Sequence, residues 1–358
     1  MKKLFIICTA AIVALAACSK TEVNAPSPDK AISFQVAKYV GQTKADSHGH
    51  TSLVDEGFNS FKTNAYFYTP GKAVQAFMVD QVVSYDGSSK WAPTREYFWP
   101  KTGYVNFFSY AGTIEPTAKA ENSLTYTDAE IDIDSNILVA DAAYGFSSND
   151  NSEHNLNGVS EGVPTLFRHM LAKVVFDVIV DATDVTDDKY EWTATVNSAS
   201  VSYRNIGTLS VSFAAPSPIS GPSTVQGAPT WEPKDVANVS LSKVSGDVTP
   251  SAVGGAKTVT PVTLIEESVV LPQALNATGV TFAMEYDLTY TYNGGSTITE
   301  TVPVTATALT TLATSITTWA VNTVYKYHII IKPNGPVLFD PAVEAWAEVE
   351  SADGELNF

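Results

Sequence analysis

The sequence predicts an all-β protein of two β-sandwich domains. Of its 358 residues, 44% are hydrophobic and only 16% are charged. Thr and Val dominate much of the chain, and few segments are rich in Leu, Lys, Glu and Arg, a composition that disfavours helical bundles and coiled coils. Short apolar segments alternate with turns that contain Gly, Pro or Asn, and this spacing is typical of sandwich strands.

The N-terminus has the pattern of a bacterial lipoprotein signal. Lys2 and Lys3 precede the apolar run Leu4–Leu15, which is too short to span a bilayer. The run leads into Leu15-Ala16-Ala17-Cys18, a lipobox-like sequence. In lipoproteins such a sequence directs attachment of diacylglycerol to the Cys thiol and cleavage just before it. The alternative is an ordinary signal peptide that carries a chance Cys.

In the lipoprotein interpretation, residues 1–17 are the signal peptide and Cys18 is the lipidation site. Cys8 leaves with the signal peptide, so the mature chain has no free thiol and no disulfide. Residues 18–30 are polar and contain two Pro, which predicts an extended tether between the lipid and the folded domain.

The N-terminal domain is predicted over residues 31–160. Its first strand, Ala31–Val40, places Ile32, Phe34 and Val36 at period two, as in a half-buried strand. The polar segment that follows, Gly41–Asn59, predicts a long loop. The next predictions are strands at Ala65–Tyr68, Ala73–Val79, Gln81–Val83, Tyr97–Trp99 and Tyr104–Tyr110, and a strand with a short helix in Asp128–Ala143.

The C-terminal domain is predicted over residues 161–358, after the polar, unpatterned segment Ser147–Val163. Within Leu166–Val180, Val174, Phe176, Val178 and Val180 alternate with Val175, Asp177 and Ile179, which predicts a fully buried strand. Ala214–Ala256 is rich in Ser, Pro and Gly and predicts surface loops. Further strands are predicted at Ala194–Tyr203, Thr208–Phe213, Ser268–Leu271, Val280–Tyr292, Thr297–Ala306, Val324–Lys332 and Val343–Val349.

Several landmarks follow the lipobox in a fixed order. They are Ile32–Phe34, Thr43-Lys44-Ala45, Trp99-Pro100, the aromatic strand Tyr104–Tyr110, Phe167-Arg168-His169-Met170-Leu171, Trp319, Asn322–Tyr327, His328–Lys332, Phe339-Asp340-Pro341 and Trp346. In this order and over essentially the whole chain, the sequence resembles the fimbrillin-like family. Members of that family are lipoprotein precursors of pilins for type V fimbriae on Gram-negative anaerobes.

The resemblance implies two transthyretin-like β-sandwich domains in tandem and a structural or adhesive subunit of cell-surface fimbriae. It implies that a processing protease cuts at Lys44-Ala45 and that the strand carrying Ile32, Phe34 and Val36 is then displaced. A strand from another pilin subunit would fill the groove and build a head-to-tail polymer. Stalk members often present Arg at the cut, whereas this chain has Lys44, which a strictly Arg-specific protease would leave intact.

The resemblance also implies that the donor strand comes from the C-terminal region. There, Val343, Ala345, Ala347 and Val349 share one face of a strand, and the opposite face is mostly acidic. These four residues are the candidate donor strand. The alternative is that residues 343–349 form only the last strand of their own domain.

The sequence predicts no catalytic residues, no metal site and no cofactor. His48 and His50 lack an identifiable third ligand, which favours a solvated loop. Asp132, Asp134 and Asp141 do not have the spacing of an EF-hand loop, which favours an ordinary acidic surface. A net charge of −17 disfavours nucleic acid as a partner.

The alternative function is a surface glycan-binding lipoprotein that does not polymerise. Trp91, Tyr97, Trp99 and Tyr104 are candidates for an exposed aromatic platform, although packing in a core and a hairpin is the favoured explanation. A pilin needs a cleavable basic residue after its first strand, as Lys44 provides, and a glycan-binding lipoprotein does not. Both interpretations are compatible with a host or bacterial surface ligand.

We predict that Cys18 carries the lipid. Because the thiol is the nucleophile that accepts diacylglycerol, Cys18→Ala should abolish incorporation of labelled palmitate into the full chain expressed in a Gram-negative host. Cys8→Ala, inside the signal peptide, is the matched control and should leave labelling unchanged. Persistent labelling of Cys18→Ala would show that acylation occurs elsewhere.

Overall fold

The computed structural model describes residues 31–36, 52–88, 90–149, 162–275 and 279–346. In these residues the regular secondary structure is almost entirely β-strand, which confirms the predicted all-β class. The elements in chain order are β1 (Phe34–Val36), β2 (Ser60–Tyr68), β3 (Gln75–Tyr85), β4 (Trp91–Pro93), β5 (Tyr104–Gly112), β6 (Ala118–Ala120), β7 (Ser123–Glu130), β8 (Ile137–Ala140), β9 (Ala142–Phe146), β10 (Val163–Thr165), β11 (Phe167–His169), β12 (Ala172–Val180), β13 (Tyr190–Tyr203), β14 (Ile206–Ser212), β15 (Ser223–Val225), β16 (Ala228–Pro233), β17 (Val239–Ser242), β18 (Ser251–Val253), β19 (Val262–Val270), β20 (Thr281–Tyr292), β21 (Thr297–Ala308), α1 (Leu309–Leu312), β22 (Thr323–Ile331) and β23 (Leu338–Ala345).

The first half of the chain contributes most of a ten-stranded sheet. Its order is β10-β1-β4-β3-β2-β5-β8-β11, with β9 paired to β5 and to β15. A four-stranded sheet, β16-β14-β7-β6, accompanies it. The aromatic strand β5 lies inside the larger sheet, and almost all of its residues are buried because both of its faces are covered. Phe107 belongs to the core beneath β1, whereas Phe108 belongs to the core shared with the smaller sheet.

The second half forms two further sheets that enclose one apolar core. One sheet has the order β19-β12-β22-β23, and the other has β17-β13-β20-β21 with β18 also paired to β13. At the centre of the first, β12 and β22 pair in parallel over nine residues. Phe176 on β12 stacks on Tyr327 of β22, with ring centroids 4.6 Å apart, and also contacts Phe282 across the core.

Strand β12 differs from its predicted full burial. Its residues alternate strictly between buried and half-buried positions. The half-buried face carries polar pairs: Oδ1 of Asp177 lies 2.7 Å from Nδ1 of His328, and Nζ of Lys173 lies 2.8 Å from Oε1 of Glu267. Burial raises the pKa of the Asp177 carboxyl, and the hydrogen bond with His328 offsets part of that rise. A sheet face that keeps such pairs near water explains why this strand tolerates charged residues.

Two sequence predictions about irregular regions were wrong. Residues 128–143 contain no helix, and they form the end of β7, β8 and the start of β9. Residues 214–256, predicted as loops, contain the four short strands β15 to β18. Strand β16 alternates exposed and half-buried residues and therefore lacks an apolar run that would identify it. Its six residue pairs with β14 hold it in the sheet.

The predicted boundary after residue 160 divides sheets that the structure joins. Strand β14 pairs with β7, and β15 pairs with β9, so strands from both sides of the boundary share hydrogen bonds. The two-domain division and its transthyretin-like character stay predictions. In the described part of the chain, no helix combines the length and the apolar character that crossing a bilayer requires.

We predict that Phe176 is a principal stabilising residue of the C-terminal core. Phe176→Ala should lower the free energy of unfolding by about 3–5 kcal/mol because it removes a fully buried ring and leaves a cavity. Val259→Ala is the control, because Val259 is 95% exposed and its truncation should change stability by less than about 0.5 kcal/mol. Urea denaturation measures both, and equal effects would contradict the assignment of this core.

Candidate functional site

The candidate site is the groove that holds β1. We define the β1 groove as the space between β4 and β10 that β1 occupies, with Phe61 and Phe107 beneath it. Strand β1 pairs in parallel with β10 over three residues, from Phe34 opposite Val163 to Val36 opposite Thr165. On its other side it pairs with β4 only where Phe34 faces Trp91. The backbone ladder that holds β1 is therefore short.

Apolar side chains provide most of the contact between β1 and the groove. Ile32 and Phe34 are 2% and 3% exposed, and Val36 is half-buried. The ring of Phe34 meets Phe61 and Phe107 edge-on, with both centroid distances at 5.5 Å. Burial of each such side chain is worth about 1.5–3 kcal/mol. The sequence thus correctly placed Ile32 and Phe34 on a buried face.

The residues just before β1 are fixed by bonds outside the regular ladder. The backbone N–H of Ile32 donates to the carbonyl of Tyr97 at 2.7 Å. The side chain of Asn149 makes two more bonds: its Nδ2 donates to the carbonyl of Ala31 at 2.6 Å, and its Oδ1 accepts the N–H of Ser33 at 3.3 Å. Sequence reasoning missed Asn149, because it lies in the polar segment predicted as a domain boundary.

Gly162 allows β1 to approach the opposite wall of the groove. Its φ is +117°, a backbone conformation that favours glycine. A Cβ at this position would lie 2.8 Å from the carbonyl carbon of Phe34 and 2.9 Å from the nitrogen of Gln35. Both atoms belong to the backbone and cannot rotate away. Gly162 is therefore required by the close packing of β1.

The arrangement defines what the groove can do. Without β1, the strands β4 and β10 would present unpaired N–H and C=O groups, and Phe61 and Phe107 would lose the ring that covers them. Such a groove binds an extended strand, because the strand satisfies the backbone groups and also supplies apolar side chains.

The other residues predicted for assembly lie partly outside the described chain. Cys18, Lys44, Ala45, Ala347 and Val349 are all outside the described residues. Val343 and Ala345 belong to β23, where they pair with Tyr325 and Thr323 of β22. Val343 is 56% exposed. In this structure residues 343–345 thus form part of the last strand of their own sheet, and their donor role stays a prediction.

The predicted aromatic platform is divided between core and partly covered positions. Trp91 is buried and stacks on Tyr85 at 5.1 Å. Tyr97 packs against Phe77, and Trp99 meets Phe107 edge-on. These contacts are those of core and hairpin packing, as the sequence favoured.

The ionisable candidates have structural partners. Asp132 accepts hydrogen bonds from Asp134 and Ser135 in a turn. Asp141 forms a two-bond ion pair with Arg168. Within the described ranges no group of three His, Cys, Asp or Glu could hold a metal ion. His48 and His50 lie outside those ranges.

The buried His169 joins distant parts of the chain. Its ring stacks on Trp346 with centroids 3.9 Å apart, and its Nε2 lies 2.8 Å from Oε1 of Glu56. The Nζ of Lys173 lies over the Trp346 ring, 4.6 Å from its centroid. These contacts make His169 a packed histidine that fixes Trp346 at the end of β23.

The structure therefore defines an all-β protein whose first described strand, β1, lies between strands from distant parts of the chain. The match to a family model narrows this class. Residues 54–346 match the model described as fimbrillin-like, and the chain therefore belongs to the fimbrillin-like family. A search of curated proteins finds no match.

Structural comparison matches this chain to solved structures of fimbrial proteins. A fimbrial protein from Bacteroides vulgatus is 16% identical, with a TM-score of 0.51, and the match covers 88% of this chain and 99% of that one. The tip fimbrial protein Mfa3 from Porphyromonas gingivalis is 13% identical, with a TM-score of 0.36, over 80% of this chain and 94% of that one. The fimbrial anchor protein Mfa2 from the same organism is 11% identical, with a TM-score of 0.29, over 88% and 97%.

We predict that Gly162→Ala weakens the packing of β1 in the β1 groove. The new Cβ would collide with the backbone of Phe34, in addition to the cost of a positive φ. Gly57→Ala is the matched control, because Gly57 has a φ of +81° but no atom within 4 Å of the added Cβ. The control should lose about 1–2 kcal/mol of stability, from backbone strain alone.

In urea denaturation the free energy of unfolding should fall at least about twice as much in Gly162→Ala as in the Gly57→Ala control. Hydrogen exchange of residues 31–36 should also accelerate in Gly162→Ala and stay unchanged in Gly57→Ala. Equal exchange in the two variants would mean that β1 is not packed against Gly162.

Proposed function

We propose that this chain is the lipid-anchored precursor of a fimbrial subunit that assembles by strand exchange at the β1 groove. The observation that supports the proposal is the way in which β1 is held in the β1 groove. This strand has only three ladder pairs with β10 and one with β4, yet Ile32 and Phe34 are almost fully buried. A strand of that kind can be replaced by another strand that supplies equivalent apolar side chains.

The proposed maturation begins with export and lipidation at Cys18, which anchors the precursor in the outer membrane. A processing protease then cuts at Lys44-Ala45, in the segment between β1 and β2. The cut separates β1 from the rest of the fold, so that β1 is held by non-covalent contacts alone. Its departure opens the groove for a strand from a second pilin subunit.

The proposed product is a head-to-tail polymer at the cell surface. A donor at one end of the chain and an acceptor groove near the other end form a heterologous contact, which repeats without closing into a ring. The subunit acts through shape and backbone pairing and has no catalytic role in this scheme. A host or bacterial surface ligand is compatible with it.

We predict that cleavage after Lys44 starts polymerisation. Limited digestion of the full chain with a trypsin-like protease should convert monomers into ladders that resist SDS, because inserted strands are both buried and hydrogen-bonded. Lys44→Ala, combined with Lys38→Ala to remove the neighbouring basic residue, should prevent the ladders. Lys90→Ala is the control, because Lys90 is exposed and lies outside the segment between β1 and β2. It should polymerise as the unchanged chain does.

A second variant tests the donor. A stop codon after Trp346 keeps the contacts of Trp346 with His169 and Lys173 and removes residues 347–358. This variant should be cleaved normally and stay monomeric. Ladders formed by this truncated chain would place the donor elsewhere, and cleaved unchanged chain that stays monomeric at high concentration would contradict polymerisation.

A further inference from the structure

The carboxamide of Asn149 forms hydrogen bonds with the backbone of the strand in the groove. Its Nδ2 donates to the carbonyl of Ala31, and its Oδ1 accepts the N–H of Ser33. A carboxamide offers one C=O and one N–H side by side, as a peptide unit of a neighbouring strand does. Asn149 therefore replaces a ladder partner on the β10 side, before the pairing of Phe34 with Val163 begins, while Ala31 bridges Phe98 on the other side.

The groove itself holds Asn149 in this orientation. The indole Nε1 of Trp99 donates to Oδ1 of Asn149 at 2.8 Å. Because an indole N–H can only donate, the atom it meets must be the amide oxygen, and Nδ2 is left to face Ala31. The backbone carbonyl of Asn149 accepts a hydrogen bond from the backbone N–H of Gly162 at 3.0 Å. Both contacts join Asn149 to residues outside β1.

Register is the property that these bonds control. A strand that slips by one residue turns its inward side chains to the opposite face. In β1 a slip would replace Ile32 and Phe34 in the apolar floor by the polar Ser33 and Gln35. Three ladder pairs with β10 determine register weakly, and Asn149 adds two bonds that a one-residue slip would break.

We propose that Asn149, oriented by Trp99, is a positioning residue that sets the register of whichever strand fills the β1 groove. It acts first on β1 in the precursor and then on a strand supplied by a second copy of this chain. The second role rests on the proposed function. Because the two bonds of Asn149 to the strand go to backbone groups, Asn149 accepts different sequences as long as apolar residues alternate at the positions of Ile32 and Phe34.

The first experiment uses the intact full chain and does not depend on polymerisation. Asn149→Asp keeps the acceptor for Trp99 and Ser33 but turns a carboxylate oxygen toward the carbonyl of Ala31. Hydrogen exchange of residues 31–36 should become at least tenfold faster, while β12 and β22 stay protected. Asn238→Asp is the matched control, because Asn238 donates in the same way to the carbonyl of Gly279, away from the groove. Its exchange at residues 31–36 should be unchanged.

A double-mutant comparison separates positioning from simple packing. Trp99→Phe keeps an aromatic ring against Phe107 but removes the N–H that orients Asn149. It should accelerate exchange at residues 31–36 on its own, yet add less than about twofold to the effect of Asn149→Ala. Fully additive effects would overturn the role of Trp99, and unchanged exchange in Asn149→Asp would overturn that of Asn149.

The second experiment tests the strand from another copy. After cleavage at Lys44, Asn149→Asp should form SDS-resistant ladders at least tenfold more slowly than the unchanged chain, and Asn238→Asp should match the unchanged chain. Ladders that form at the unchanged rate would restrict Asn149 to β1 and overturn its role in assembly. If the unchanged chain forms none, the proposed function fails, while the exchange experiment still decides the role of Asn149 in the precursor.

Discussion

The contact between Phe34 and the two rings beneath it is the constraint on which the N-terminal edge of the large sheet depends. In the described part of the chain, β10 pairs with β1 alone, and β1 connects it to β4. Three ladder pairs would not hold a strand by themselves, since each hydrogen bond contributes only about 0.5–1.5 kcal/mol net. The buried rings of Phe34, Phe61 and Phe107 provide the remaining stabilisation.

This division of labour explains which parts of the groove the sequence predicted. Alternation is a local property, so the burial of Ile32 and Phe34 could be predicted from six consecutive residues. Asn149 and Gly162 act on backbone atoms far away in the chain; the hydrogen bonds of Asn149 span 116 and 118 residues. A polar segment rich in Asn, Ser and Gly gives no sign of which residue will reach a distant strand.

The same reasoning applies to the fold. Strands β12, β20 and β22 were predicted because each has an apolar face over many residues. Strand β16 has no such face, and its position depends on pairing with β14, which in turn pairs with β7. A single sequence contains no record of that pairing. Composition and periodicity therefore predict the all-β class and the strong strands. The connection across the predicted boundary depends on pairing between strands that are far apart in the chain, which neither property records.

The two strands relevant to assembly differ in how they are held, and this difference bears on which one is exchanged. Strand β1 has three pairs with β10, whereas β23 has eight pairs with β22. Beyond β23, the ring of Trp346 stacks on His169 and lies under Nζ of Lys173. The backbone N–H of Trp346 donates to the backbone carbonyl of Asn322 at 2.9 Å. Detachment of β23 would break all of these contacts, whereas a strand that replaces β1 can form the same kinds of backbone hydrogen bond and apolar contact in its place. We therefore expect β23 to stay in its own sheet during assembly, and a donor from this end of the chain to use residues that follow Trp346.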